Sequence, residues 1–197
     1  DHPSALIVPG VSWQDVEAFR VAAAAAPGEI TVGNVGMRGI WHQHASAMEQ
    51  AMGIELLHIP YEGGSGPQLA AILGGEVDAI VSSLPAAMPY VEDGLLKVLA
   101  IMAQERSDLV PDVPRFLEHG YELDYSGFRV LVAPSGTPDD VMGVLSSACR
   151  ETAEDPEYQA WAAEAGIGAS WKDRDSTIEH LESLAAKVEA LMARLSR

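Results

Sequence analysis

Three times between residues 30 and 92 the sequence repeats one pattern: a short apolar, β-prone run, a turn rich in glycine or serine, then a helical stretch. The runs cover residues 30–33, 55–59 and 77–82. The turns are GNVGMRG from Gly33, PYEGGSG from Pro60, and Ser82-Ser83-Leu84-Pro85. Strands and helices that alternate through short connections must stack in layers, a mostly parallel sheet with helices flanking it. The runs show little apolar–polar alternation, as a sheet covered on both faces requires.

Further elements extend the pattern. Residues 5–8 and 96–102 read as strands. Ser12 reads as an N-cap ahead of Asp15, opening a helix toward Ala26 that Pro27-Gly28 ends. A helix over 40–52 stops at Gly53. Pro67 sits where a first helical residue would, and that helix ends at Gly74-Gly75. Pro85 opens another, stopping near Gly94. Residues 104–124 are irregular, with Pro111 and Pro114 close together, and form the candidate hinge or domain crossing. Residues 128–133 read as a strand, and Thr137 as the cap of a helix that Pro138 begins. A shorter helix starts near Pro156. The last helix, 176–194, places Leu181, Leu184, Val188, Leu191 and Leu195 on one face.

Composition removes several function classes. Of 197 residues 48% are apolar, enough for a sizeable core. No apolar run approaches the length of a membrane span, so direct membrane insertion is not expected. Lys and Arg total 12 against 29 Asp and Glu, a formal charge of −17. That balance argues against nucleic acid, which needs dense basic patches, and against an anionic membrane surface. The one cysteine, Cys149, has no disulfide partner and no zinc-ligand spacing around it; it reads as a structural thiol on a helix. The chain begins at Asp1 with neither a basic n-region nor an apolar h-region, so a signal peptide is expected to be absent from it.

The turns carry the chemistry. In open α/β sheets ligands bind beyond the carboxyl ends of the strands. There the unpaired N–H groups of a helix's first turn favour anions, and glycine lets the backbone approach a ligand. The Gly63-Gly64-Ser65 stretch offers a nest of backbone donors. Arg38 is the only Lys or Arg between Arg20 and Lys97, an interval with eight carboxylates. A lone cation at an anion site can hold a carboxylate bidentately. Met37, Trp41 and Tyr61 supply apolar walls. His42 and His44 lie two apart on a helix, so they do not share a face and form no metal pair. Enzyme signatures are missing. G-x-x-G-x-x-G is not the dinucleotide spacing G-x-G-x-x-G, and there is no P-loop, G-x-S-x-G or zinc motif. Ser82, Ser83 and Asp78 have no histidine placed to complete a nucleophile system. No catalytic residue, metal or cofactor is expected.

Four stretches in order, GNVGMRGIWH, HIPYEGGSGPQLAAILGGEVDAIVSS, LKVLAIMAQERSDLVPDVPRFLEHGY and VAPSGTPDDV, resemble the substrate-binding proteins of tripartite tricarboxylate transporters, the Bug family. The resemblance spans nearly the whole chain. It implies a type II periplasmic-binding-protein-like α/β fold. Two lobes would close on a small organic carboxylate (a di- or tricarboxylate or an aromatic acid), to be handed to membrane permease subunits from the periplasm. It further implies that residues 1–103 form the ligand-binding second lobe, and that 104–197 hold the hinge crossing and a C-terminal segment returning to the first lobe. Family members are about half as long again, with an amino-terminal segment that carries another glycine-rich ligand loop, so the first lobe is expected to be incomplete at its N-terminus. Residues and resemblance together set the candidate ligand-binding group: Asn34, Gly36, Met37, Arg38, Gly39, Ile40 and Trp41 from the first turn, Tyr61, Gly63, Gly64 and Ser65 from the second, Ser82 and Ser83 from the third. Relatives often carry glycine, serine or threonine at Met37 and Arg38, and tryptophan at Phe128, so no relative's ligand can be copied. A ligand-sensing module that signals to a regulatory partner, and an enzyme on the same scaffold, are the rival readings.

Overall fold

The computed structural model describes residues 2–164 and 171–195. Six strands, seven α-helices and a short 3-10 helix (Phe116–His119) occur along them. The strands are β1 (His2–Pro9), β2 (Thr31–Val35), β3 (Leu57–Tyr61), β4 (Ala79–Ser83), β5 (Leu96–Met102) and β6 (Ser126–Gly127). The helices are α1 (Val16–Ala25), α2 (Ile40–Met52), α3 (Ser65–Leu73), α4 (Leu84–Glu92), α5 (Asp139–Glu154), α6 (Pro156–Glu164) and α7 (Arg174–Leu195). The chain divides into two compact units, one over His2–Gly127 and one from Phe128 onward.

The first unit is an open sheet in the order β3-β2-β4-β1-β5, with β6 pairing β1. β2 pairs β3 and β4 in parallel, and α2, α3 and α4 follow β2, β3 and β4 in turn. β1 runs antiparallel to both β4 and β5. It is therefore the one reversed strand among the five, and its amino end, at Ser4, lies beside Ser83 and Met102 at the carboxyl ends of its neighbours. Asp78 fixes the opposite edge. Thr31 donates to Asp78 Oδ2 through its backbone N–H (2.9 Å) and its hydroxyl (2.7 Å). Asp78 thus stands at the amino end of β2, far along the strand direction from Ser82 and Ser83.

Side chains alternate across the sheet. Ala5, Ile7, Ile80, Val98 and Ile101 meet Leu69 and Ile72 of α3 and Leu84 and Ala87 of α4 in one apolar core. The alternate positions, Ser4 of β1 and Asn34 of β2, face the other way, toward α2, which packs on β2 and β4. The irregular stretch beyond β5 is pinned to the sheet. Ile101 N donates to Pro114 O at 3.1 Å, and Tyr125 N to Met102 O at 3.1 Å. Arg106 and Arg115 both bond Glu118, whose carboxyl they hold well below the usual carboxylate range.

Several boundaries differ from expectation, each for a local reason. Asp15, not Ser12, caps α1: its carboxylate accepts from Ala18 N at 2.8 Å, whereas the Ser12 hydroxyl donates to Pro9 O. β3 begins two residues late, because it starts where it meets Thr31 of β2. α3 begins at Ser65, with Pro67 inside its first turn. The strand expected over 128–133 does not form. Only Ser126 and Gly127 find a partner, on β1, while Leu131 and Val132 stay 84% and 86% exposed, and an unpaired run is not a strand. Thr137 does not cap α5; its hydroxyl donates to Pro134 O at 2.8 Å, and Pro138 holds the cap position. The second unit is helical, and no residue of α5 is buried. α7 brackets the expected last helix, but the side chains of Leu191 and Leu195 lie outside what the structure describes. Replacing an N-cap aspartate with alanine costs about 1 kcal/mol, so Asp15→Ala is expected to lower stability by about that much in urea unfolding.

Candidate functional site

Parallel pairing of β2 with β3 and β4 brings all three turns to one edge of the sheet. The first turn is the tightest. Gly36 has φ +61° and its N–H donates to Tyr61 O at 2.9 Å; Gly39 N donates back to Gly36 O at 3.2 Å. A Cβ at Gly39 would collide with the Val35 carbonyl oxygen, so glycine is obligatory there. Arg38, at φ +67°, is the only non-glycine residue with positive φ among those described. That left-handed conformation costs a side-chain-bearing residue roughly 1–2 kcal/mol. Its carbonyl is held by Gln43 Nε2 at 2.8 Å. The loop thus stores strain at the one residue that carries its charge, a pattern met at binding sites. Arg38 and Met37 are exposed, Ile40 is 37% exposed, and Trp41 is buried at 7%. No side chain caps α2 at Gly39, which leaves the first-turn amides without a side-chain acceptor.

The second and third turns meet directly. Gly63 (φ +99°) and Gly64 (φ +87°) lead into α3, and the Ser82 hydroxyl donates to Ser65 Oγ at 3.2 Å. Ser83 precedes α4 as its cap residue without a side-chain bond to the helix. Tyr61 departs from the group: its hydroxyl donates to Glu76 Oε2 at 3.4 Å, toward the amino end of β4 and away from the turns. Asn34 is fully buried and turned under α2, and its Nδ2 donates to Val32 O at 3.2 Å.

A polar seat beneath α2 is what sequence reasoning missed. Ser4 Oγ lies 2.6 Å from His44 Nδ1, and the His44 ring stands beside Trp41 (5.6 Å between centroids) and Tyr125 (4.9 Å). Burial pushes His44 down to about 4. Next to this pair, Asn34 Nδ2 lies 2.7 Å from His58 Nδ1, and His58 Nε2 lies 2.6 Å from Glu49 Oε2. The other Glu49 oxygen accepts from Leu56 N at 2.6 Å. The His42 ring is 4.8 Å from that of His58; burial first, and then the repulsion that a second imidazolium so close would meet, lower His42, and Glu49 opposes them. His42 and His44 therefore serve different partners. Gln68, also missed, is buried behind Ser65 with Nε2 donating to Val81 O at 3.4 Å. Among the described residues, Asn34 Oδ1 and Gln68 Oε1 are buried with no hydrogen-bond partner. His44 was legible in principle, because it shares the buried stripe of α2 with Trp41, Ala45, Met48 and Met52. Nothing local marked Ser4.

Residues 1–196 match the tripartite tricarboxylate transporter family receptor, TctC. The chain belongs to this receptor family. Among curated relatives, a UPF0065 protein of Cupriavidus necator is 28% identical over 191 residues, covering 96% of this chain and 58% of that protein. Protein BugT of Bordetella pertussis is 29% identical over 167 residues, covering 83% of this chain and 51% of BugT. The chain thus spans a little over half the length of these curated relatives. Among solved structures, a TctC solute binding protein from Polaromonas is 27% identical with a TM-score of 0.81, over 98% of this chain and 66% of that one. An R. palustris protein solved with adipate shares the fold at 22% identity and a TM-score of 0.89, over 96% of this chain and 64% of that one. MatC from the same organism, solved with bound malate, does so at 23% and 0.77, over 98% and 65%. The type II periplasmic binding fold of these TctC and Bug receptors is the fold of this chain. No described helix is long and apolar enough to cross a membrane.

Two outcomes follow from this geometry. Arg38→Gly removes the left-handed strain and is expected to raise stability by about 1 kcal/mol in chemical denaturation. His44 holds fewer protons folded than unfolded, because its folded value is about 4 against an ordinary 6.5. Its contribution is therefore complete above pH 6.5 and is lost as pH falls toward 4. The loss amounts to about 3 kcal/mol at most. Unfolding of His44→Gln across that window is expected to depend less steeply on pH than unfolding of the parent.

Proposed function

We propose that this chain is part of a non-enzymatic periplasmic receptor that captures a small organic carboxylate for the permease of a tripartite tricarboxylate-type transporter. The observation that carries the reading is the convergence of three strand-to-helix turns on one sheet edge, with Arg38 in the tightest of them. Backbone amides of the glycine turns and of the α2, α3 and α4 amino termini offer donors to a carboxylate. Arg38 adds the charge, and Met37, Ile40 and Trp41 add apolar contact around it. Gly36, Gly39, Gly63 and Gly64 keep the backbone approachable, and Ser65, Ser82 and Ser83 contribute hydroxyls. Tyr61 and Asn34 act from behind, through Gly36 and β3. On this reading residues 1–103 are the ligand-binding lobe, and the remainder crosses to the other lobe.

Two fold neighbours solved with dicarboxylates, adipate and malate, support the ligand class. The net charge of −17 makes a local cation the more valuable at such a site, since the whole-molecule field repels the ligand. A thermal-shift screen against di-, tri- and aromatic carboxylates tests the reading. An acid present at 100 times its Kd is expected to stabilise the protein by about 2.7 kcal/mol. Arg38→Ala is expected to weaken binding of a dianion more than that of a monoanion. Equal affinities in variant and parent would remove Arg38 from the site. Silence across the panel, in this chain and in the full-length receptor alike, would retire the carboxylate reading.

A further inference from the structure

The edge strand β3 is joined to the sheet on one side only. It pairs with β2 alone, and the residue opposite Asn34 is Pro60, which has no N–H to give to the ladder. Two links besides the ladder itself stand at that point. One is Gly36 N to Tyr61 O. The other is a side-chain chain: Asn34 on β2, His58 on β3 and Glu49 on α2, at 2.7 and 2.6 Å.

Hydrogen-bond bookkeeping assigns the protons in that chain. Val32 O can only accept, so the group facing it on Asn34 is the NH2. The second hydrogen of the same NH2 points to His58 Nδ1, which must then be the accepting nitrogen. His58 Nε2 carries the hydrogen and donates it to Glu49. The arrangement is complete for a neutral His58 and leaves Asn34 Oδ1 buried without a partner. A second proton on His58 would set an N–H at Nδ1 against the Asn34 NH2, donor against donor. The link must then break, or the amide must turn so that Oδ1 accepts and the bond to Val32 O is lost. The titratable groups that face His58 are Glu49 and His42, both from α2; β2 presents Val32 and Asn34.

We propose that His58 is the positioning residue of the first ligand turn. When neutral it ties Asn34, and through it the end of β2, to β3 and α2; when protonated it releases that tie, so that the turn at Gly36–Gly39 answers to acidification. This deepens the receptor reading above and rests on it for its functional meaning, since that turn is the proposed carboxylate site.

Ring-nitrogen and amide NMR of the protein without ligand, titrated from neutral to mildly acidic pH, tests the coupling. Wherever its ring is neutral, His58 is expected as the Nε2–H tautomer. On acidification the Asn34 side-chain NH2 signals and the backbone amides of Gly36 and Gly39 are expected to shift with the midpoint of His58, separate from those of His42 and His44. In His58→Gln those amides lose that titration while His42 and His44 keep theirs. An Nδ1–H tautomer, turn amides indifferent to His58, or an unchanged titration in His58→Gln would each overturn the proposal. If His58→Gln does not fold, Glu49→Gln provides the test: the midpoints of His58 and of the turn amides must move together, and a shift of His58 alone overturns it. No carboxylate enters the experiment. A silent ligand panel with coupled midpoints therefore retires only the receptor reading, and a ligand hit with uncoupled midpoints retires only this one.

Discussion

Parallel pairing of β2 with both of its neighbours is the constraint on which the rest of the first unit depends. A parallel strand cannot return by a hairpin, so each of β2, β3 and β4 hands the chain to a helix. Parallel strands share a direction, so the three handovers fall on one edge. Asp78 secures that pairing from the far end by bonding Thr31, and β1, reversed between β4 and β5, closes the sheet with its own amino end at the same edge as the turns. The anion-friendly features of the chain, helix amino termini and glycine backbone, are concentrated there as a consequence of topology.

Around that edge, the two faces of the sheet solve their packing differently. The face under α3 and α4 is mainly apolar, with Ile7, Ile80 and Ile101 fully buried and Gln68 and Ser82 as its buried polar residues. The face under α2 carries Ser4, Asn34 and His58 against His44, Glu49 and His42. An apolar face tolerates small slides, whereas a hydrogen-bonded seat admits only a few discrete geometries. The helix that starts at the candidate ligand turn is therefore the one seated by directional bonds. The strain at Arg38 belongs to the same picture, for a left-handed arginine persists only where its surroundings hold it there.

Much of this was legible from local rules. Gly53 ending α2, Pro85 opening α4, and the three turns with their glycines or serines all followed from residue chemistry that acts within a few positions. The errors also had local causes. Ser12 and Thr137 are good capping residues by type, yet each hydroxyl bonds a carbonyl three residues back, and Asp15 and Pro138 hold the cap positions. Residues 128–133 have the composition of a strand but no partner to pair with.

What the sequence by itself determined was the alternation of strand, glycine turn and helix, the family, and the presence of one cation among eight carboxylates in the interval that holds all three turns. These depend on spacing and composition alone. Tertiary structure decided which polar side chains meet: Ser82 with Ser65, Ser4 with His44 forty residues away, Asn34 with His58 and Glu49. It also turned Tyr61 from the turns toward Glu76. Such contacts depend on strand order, register and the face each residue presents, and none of these is encoded within a window of neighbouring residues.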